Sequence, residues 1–254
     1  MSIRIAVADG IATIEIARPE KKNAITGAMY IAMAEALVSA DADAEVRAVL
    51  ITGQPDVFTA GNDLEDFKHR SLSGVESPAS RFMNALSGYG KPVVAAVGGA
   101  AIGIGTTMLL HCDLVYVSEE ARLAMPFVRL GLVPEFASSL LVPRLVGHAK
   151  AAELLLLGES ITGRMAVELG IANAMLPQAE LLRHARRMAE CFRTLPPEAV
   201  RATKSLIRRA EKALVGDTIA TESAFFAERL RSPEAAEAFS AFLEKRQPDP
   251  SKFL

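Results

Sequence analysis

The sequence predicts an α/β protein with a C-terminal helical part. Two patterns carry that prediction. Through the first two thirds, short apolar β-branched runs alternate with segments of helical period. After about Ala149 the periodic segments are helical apart from one short strand, and two helices open on Pro197 and Pro233, where proline's fixed φ and missing donor suit the first turn. The chain has 254 residues and is 50% apolar, enough to sustain a core without staples. Disorder, collagen and disulfide scaffolds are excluded as overall classes.

The elements follow in order. Ile3 to Ala8 and Ile11 to Ile16 flank Asp9-Gly10, a two-residue hairpin signal. Thr26 to Ala40 carries Met29, Met33, Ala36, Leu37 and Ala40 at helical spacing, and Asp41-Ala42-Asp43 ends that helix. Ala48 to Thr52 and Val93 to Val97 are unbroken apolar runs, as in strands buried on both faces. Between them, Phe58 to Phe67 passes from a loop into a short helix, and Lys68 to Ser80 reads as a mobile polar surface segment. Gly98 to Gly105 reads as a glycine-rich turn opening a helix to about His111, and Leu114 to Ser118 as another strand. The alternation implies right-handed crossovers and a largely parallel sheet. Helices are then expected over Ala149 to Leu157, from a Thr162 cap to Gly170, and over Gln178 to Thr194, Pro197 to Val215, Asp217 to Leu230 and Pro233 to Lys245, with a short strand at Asn173 to Leu176. The organisation is a core over residues 1–190 and a helical region over 191–254.

Charge narrows the partners. Lys plus Arg number 28 against 30 for Asp plus Glu, a net charge of −2, and nucleic-acid binding ordinarily shows a basic excess. The basic residues from Arg201 to Lys212 read as a solvated helix face. Cys112 and Cys191 lie far apart, and His69, His111, His148 and His184 form no ligand motif, so no metal is expected. The opening residues lack the charged and apolar regions of a secretory signal, and the final Lys252-Phe253-Leu254 is not a Ser-Lys-Leu address; the expected location is cytoplasmic. Pro92 to Leu110 is uncharged, but its four glycines and two threonines fit a soluble strand, turn and helix better than a membrane span.

Two loops offer chemistry. Gly98-Gly99-Ala100-Ala101-Ile102-Gly103-Ile104-Gly105 presents free backbone N–H groups at a helix start, which favours negative charge. It lacks the third glycine of a dinucleotide fingerprint and the Gly-Lys-Ser/Thr of a P-loop. In Phe58-Thr59-Ala60-Gly61-Asn62-Asp63-Leu64, small residues permit close backbone approach, and Asp63 is placed to cap the helix that follows. Two loops each offering one N–H can form an oxyanion hole. His111-Cys112-Asp113 reads as packed rather than reactive, and Ser138-Ser139 lacks a nucleophile elbow.

These loops, with Arg18-Pro19-Glu20-Lys21-Lys22-Asn23-Ala24-Ile25, Lys91 to Val97, Cys112 to Val115, Leu130-Gly131-Leu132-Val133-Pro134 and Ala166 to Ala172, make nearly the whole chain resemble the crotonase (enoyl-CoA hydratase/isomerase) superfamily. The resemblance implies a crotonase-like spiral of ββα units that holds an acyl-CoA thioester, with coenzyme A as part of the substrate and no covalently bound cofactor. It places the thioester carbonyl between the N–H groups of Asn62 and Ile104. Lys22, Ala24, Ala60, Gly61, Asp63, Leu64, Gly103 and Phe127 are implied to contact substrate, and Phe242 and Lys245 of the last helix to complete the site in a homotrimer or dimer of trimers.

The family's hydratases use two glutamates; the corresponding positions here are Thr107 and Phe127, neither of which is a base at neutral pH. Glu135 remains. The motif is closest to the peroxisomal-type Δ3,Δ2-enoyl-CoA isomerases, which carry their catalytic Glu at that spot and tend to show Gly-Asn-Asp-Leu in the first loop, as Gly61-Asn62-Asp63-Leu64 does. A proton shuttle on one face needs one base, and burial beside Phe127, Leu132 and Phe136 is expected to strengthen it. Isomerisation of a 3-enoyl-CoA is therefore the preferred expectation. The alternatives are hydration of a 2-enoyl-CoA and a non-catalytic acyl-CoA-binding homologue.

Overall fold

The computed structural model describes residues 2–68 and 77–253, and in it the Asp9-Gly10 signal does form a tight hairpin: both residues have positive φ, 52° and 71°. β1 (Ile3–Ala8) pairs antiparallel with β2 (Ile11–Ile16). Thr26 caps α1 (Gly27–Ala42) by accepting from the Met29 N–H, and the expected Met29, Met33, Ala36, Leu37 and Ala40 all face the core.

The chain then winds in three similar turns. β3 (Ala48–Thr52) is followed by the short β4 (Val57–Thr59), then α2 (Leu64–Lys68) and α3 (Pro78–Ser87). β5 (Val93–Val97) is followed by β6 (Ala100–Ile102), α4 (Ile104–Thr107) and a 3-10 turn over Met108–His111. β7 (Leu114–Ser118) is followed by β8 (Arg122–Ala124) and, after a loop, α5 (Ser138–Val146). The first strand of each turn adds to one sheet and the second to another. With β9 (Ile161–Thr162) and β10 (Ala174–Leu176), the sheets run β1-β2-β3-β5-β7-β10 and β4-β6-β8-β9. From β2 through β10 the first sheet is parallel, as the crossovers require.

The unbroken apolar runs are explained by burial on both faces. Val49 and Ile51, with Val93, Ala95, Val97, Val115 and Val117, face the main core. Leu50, Val94, Ala96 and Tyr116 face Leu181, Ala185 and Ala189 of α8 (Gln178–Glu190).

Several expectations are corrected. The Gly98–Gly105 turn contains a strand, β6, and two further three-residue strands, β4 and β8, had no period long enough to read. Of the segment expected to be a mobile surface stretch, residues 78–80 begin α3, with Ala79 buried; Lys68 closes α2, and residues 69–76, His69 among them, lie outside the described residues. Helix begins at Ser138, before Ala149, despite Pro143 within it. The expected Ala149–Leu157 helix divides into α6 (His148–Ala152) and a π-helical turn over Glu153–Leu157. Thr162 caps α7 (Gly163–Glu168) as expected. Where one helix was expected over Pro197–Val215, α9 (Pro197–Arg208) ends early and α10 (Lys212–Arg229) begins, a break that no Gly or Pro marks. α11 (Pro233–Leu243) closes the fold, its Ser232 cap accepting from the Ala235 N–H. Ile219, Phe226, Ala235 and Phe239 of α10 and α11 belong to the main core, so the C-terminal helices are packed onto the site-bearing turns.

The solvated face expected over Arg201–Lys212 is corrected in part: Arg209 and Lys212 are exposed, but not every basic residue is solvated. Lys204 is buried, paired with Asp113 at 2.7 Å and donating to the Lys91 carbonyl at 2.5 Å. Among the described residues, no helix is long and apolar enough to cross a membrane.

Candidate active site

The two loops meet because β4 and β6 are parallel neighbours, pairing Val57 with Ala100 and Thr59 with Ala101. The chain leaves β4 as Ala60-Gly61-Asn62 and leaves β6 as Gly103-Ile104-Gly105, side by side. Glycine is required at the contact. A Cβ on Gly61 would lie 2.9 Å from the Ile102 carbonyl oxygen, and one on Gly105 would lie 2.6 Å from the Thr59 methyl and 3.2 Å from the Thr59 carbonyl.

The surrounding amides are paired. Gly61 N–H donates to Thr59 Oγ1, Asp63 N–H to the Ile25 carbonyl, Gly103 N–H to the Ala124 carbonyl, and Thr106 and Thr107 N–H to the Gly103 carbonyl. The N–H groups of Asn62 and Ile104 make no hydrogen bond among the described residues. Two uncommitted donors on adjacent turns, one at a helix start, are suited to a partly negative oxygen.

The first loop is fixed from the Lys22–Ala24 segment. Lys22 and Asn23 both sit at positive φ. The Ala60 N–H donates to the Lys22 carbonyl at 3.0 Å. Thr59 Oγ1 donates to the Asn23 carbonyl, and Asn23 Nδ2 donates to the carbonyls of Val57 and Phe58. Asp63 caps α2 as the sequence suggested, accepting from the Glu65 and Asp66 amides, and also pairs with Arg18 at 2.6 Å. Burial alone would raise the Asp63 carboxyl pKa. The Asp66 amide, the Arg18 guanidinium and the Glu65 amide together outweigh burial and hold it below the ordinary carboxylate value.

Glu135 is 6% exposed. Its turn is unusual: the next two residues, Phe136 and Ala137, adopt φ of 63° and 56° without being glycine. The Phe136 ring stacks on His111 at 3.9 Å, and the Phe136 carbonyl is hydrogen-bonded to His111 Nε2 at 2.8 Å. His111 ends the segment that Ile104 begins. Phe136 also meets Phe82 edge-on at 6.2 Å, Phe82 meets Tyr30 at 5.7 Å, and the Tyr30 hydroxyl donates to Asn62 Oδ1 at 2.7 Å. Ring contacts thus link the Glu135 turn to the Asn62 side chain on one side and, through His111, to the end of the segment that Ile104 begins on the other.

The remaining expected residues divide. Gly103 and the buried Phe127 are neighbours, since a Cβ on Gly103 would lie 3.8 Å from the Phe127 ring. Thr107 is fully buried on α4, its hydroxyl without a hydrogen bond among the described residues. Lys22 is exposed, and Ala24, Ala60 and Leu64 are half-buried around the first loop. Phe242 and Lys245 are not drawn into the site within this chain: Phe242 is 62% exposed and Lys245 follows the end of α11 on the surface. Glu222 was missed. It is buried on α10 and accepts hydrogen bonds from the Glu135 turn; no motif marks it. Among the described residues, no cluster of His, Cys, Asp and Glu could hold a metal ion.

A family model described as enoyl-CoA hydratase/isomerase matches residues 6–252. Enoyl-CoA delta isomerase 2 of Rattus norvegicus is 36% identical over 93% of this chain, which spans only 62% of that relative's length. The 2,3-dehydroadipyl-CoA hydratase of Escherichia coli is 30% identical, covering 91% of each chain. The solved structure of Pseudomonas aeruginosa OdaA is 53% identical and superposes with a TM-score of 0.93, covering 95% of this chain and 98% of its own. With its three strand-strand-helix turns and its paired glycine loops, the chain belongs to the enoyl-CoA hydratase/isomerase family of the crotonase superfamily.

Proposed function

We propose that the chain isomerises a 3-enoyl-CoA to a 2-enoyl-CoA, with Glu135 as the single base. The observation that carries this reading is the buried Glu135 carboxylate, on a turn stacked against the end of the Ile104 segment, while positions 107 and 127 hold a buried Thr and Phe. Relatives named delta isomerases support it.

In this reading the thioester oxygen accepts from the Asn62 and Ile104 N–H groups. Glu135 removes a proton from C2; the C2–H electron pair spreads over C1 to C4, with the charge on the thioester oxygen. The same carboxyl returns the proton to C4, and the double bond moves from C3–C4 to C2–C3. Fixed donors aimed at the developing oxyanion are the larger contribution; losing one typically costs about 10²–10³ in rate. Lys22, Ala24, Ala60, Gly61, Asp63 and Leu64 hold the coenzyme A part, and Gly103 and Phe127 border the acyl group. Exposed Leu206, Ile207, Phe225 and Phe242 support reading residues 191–254 as an oligomerisation region of a homotrimer or dimer of trimers. Free Cys112 and Cys191 are in keeping with a cytoplasmic location.

Hydration is the second reading, favoured by relatives named hydratases. The deciding experiment is a paired assay on 3-hexenoyl-CoA and crotonyl-CoA, wild type beside Glu135→Gln. Conversion of the 3-enoyl substrate, lowered about 100-fold or more in the variant, is expected. Rapid hydration of crotonyl-CoA with no conversion of 3-hexenoyl-CoA overturns the isomerase reading. Binding of both thioesters with no turnover makes the chain a binding protein.

A further inference from the structure

We propose that Glu222 is a positioning residue for Glu135: from α10 it accepts from the Ala137 and Ser139 amides and holds the turn that aims the base. The inference rests on the reading of Glu135 as that base. Glu222 Oε2 accepts from the Ala137 N–H at 2.6 Å, and Oε1 accepts from the Ser139 N–H at 2.9 Å and from Ser139 Oγ at 2.5 Å.

Three features make this more than a packed carboxylate. First, Glu222 is 6% exposed, and all three of these donors are neutral. A buried carboxylate bound only by neutral groups is expensive, so its position on a site-bearing turn calls for a role there. Second, the Ala137 and Ser139 amides stand at the cap and second position of α5, where unpaired N–H groups and the positive helix end favour an anion; here the anion comes from the chain itself, 83 to 85 residues away in sequence. Third, Phe136 and Ala137 hold left-handed conformations that non-glycine residues adopt only when their surroundings over-determine them. His111 fixes the turn from one side through the Phe136 carbonyl, and Ser138 N–H and Oγ close it on the Glu135 carbonyl. Glu222 fixes the other side. Without it, the Ala137 and Ser139 amides lose their acceptor and the turn is free to relax, swinging the Glu135 side chain.

The test uses the full chain with Glu222→Gln, Ser139→Ala, Glu135→Gln and the double variant Glu135→Gln/Glu222→Gln. Glu222→Gln keeps one acceptor oxygen. It is expected to lower kcat for 3-hexenoyl-CoA about 10- to 100-fold, the effect of a small misplacement of a reacting group, while the Kd for unreactive hexanoyl-CoA stays within about twofold. Ser139→Ala, which leaves both amide bonds, is expected to lower kcat less than about threefold. In the Glu135→Gln background Glu222→Gln is expected to add nothing, because residues acting as a unit are not additive. Amide exchange read on peptides spanning residues 135–140 is expected to accelerate in Glu222→Gln and to stay unchanged over β5. The proposal is overturned if exchange over 135–140 is unaltered, or if kcat, hexanoyl-CoA affinity and thermal stability all fall together. Loss of the Glu135 reading shows separately, as wild-type turnover in Glu135→Gln.

Discussion

The Tyr30 hydroxyl donates to Asn62 Oδ1 at 2.7 Å, from a ring that is itself fully buried against Phe82. This bond fixes the side chain of the residue whose backbone N–H is uncommitted, so it restricts rotation of the peptide that presents that donor. Tyr30→Phe removes one hydrogen bond and little volume. Stability is expected to fall by about 1 kcal/mol. Turnover of 3-hexenoyl-CoA is expected to fall about tenfold, the rate equivalent of roughly 1.4 kcal/mol of lost transition-state stabilisation. Stopped assays beside urea unfolding read both. A stability loss with unchanged kcat would reduce the ring chain to packing.

Gly105→Ala separates helix propensity from loop geometry. An exposed helical Gly→Ala substitution gains up to about 1 kcal/mol. Here the new methyl would sit 2.6 Å from the Thr59 methyl and 3.2 Å from its carbonyl, in a fully buried contact. Overpacking of that kind costs about 1–3 kcal/mol, so a net loss of about 1 kcal/mol is expected. Because the displaced atoms join β4 to α4, the Asn62 and Ile104 amides move apart. Activity is expected to fall more steeply, about 100-fold. A variant at least as stable as wild type, with full activity, would show that the two turns are not set by this contact.

Legibility in the sequence followed the range of the interactions. The Asp9-Gly10 hairpin, the Thr162 cap and the buried runs at Ala48–Thr52 and Val93–Val97 rest on neighbours within a few residues, and all are present. β4, β6 and β8 were hidden because each is three residues long and gains its meaning from partners about twenty to forty positions away. α5 was hidden by Pro143, which reads as a breaker. At the site, Asp63 was legible as a cap, whereas Glu135 stood out only through the resemblance of its flanking motif. Glu222 and Lys204 were not legible, since on their own helices both look like solvated charges.

Asp113 binds three donors at once: the Val93 amide at 2.7 Å, Lys204 at 2.7 Å and Arg208 at 3.1 Å. It therefore ties the start of β5 to α9. Burial pushes the Lys204 pKa down to about 8, and the attraction of Asp113 only partly offsets it. Removing the anion leaves two cations facing each other, so Asp113→Asn is expected to cost roughly 3 kcal/mol. Lys204→Met removes a desolvated charge and leaves Arg208 on Asp113, but it also takes the donor from the Lys91 carbonyl; about 1–2 kcal/mol is expected. Urea unfolding at pH 7.5 compares them. Equal losses would mean that the ion pair itself, rather than relief of uncompensated charge, carries the stability.

His111 gives the fold a pH dependence whose sign can be worked out. Burial lowers its pKa to about 4; the hydrogen bond to the Phe136 carbonyl opposes this and the nearby Arg208 charge adds to it. In the unfolded chain the imidazole takes a proton near pH 6.5. Below pH 6.5 the unfolded state therefore binds a proton that the folded state refuses, and stability is lost progressively until about pH 4. Above pH 6.5 both states are neutral and the contribution is flat. Between pH 7.5 and pH 5 the loss attributable to this residue is expected to be about 2 kcal/mol. His111→Gln supplies the reference, because its amide still donates to the Phe136 carbonyl and does not titrate. The variant is expected to start less stable at pH 7.5, having lost the stack on Phe136, and to lose about 2 kcal/mol less than wild type on going to pH 5. Parallel losses in the two proteins would mean that His111 is protonated in the folded state at pH 5. The same titration bears on turnover, since the protonated ring would carry a charge against the Glu135 turn.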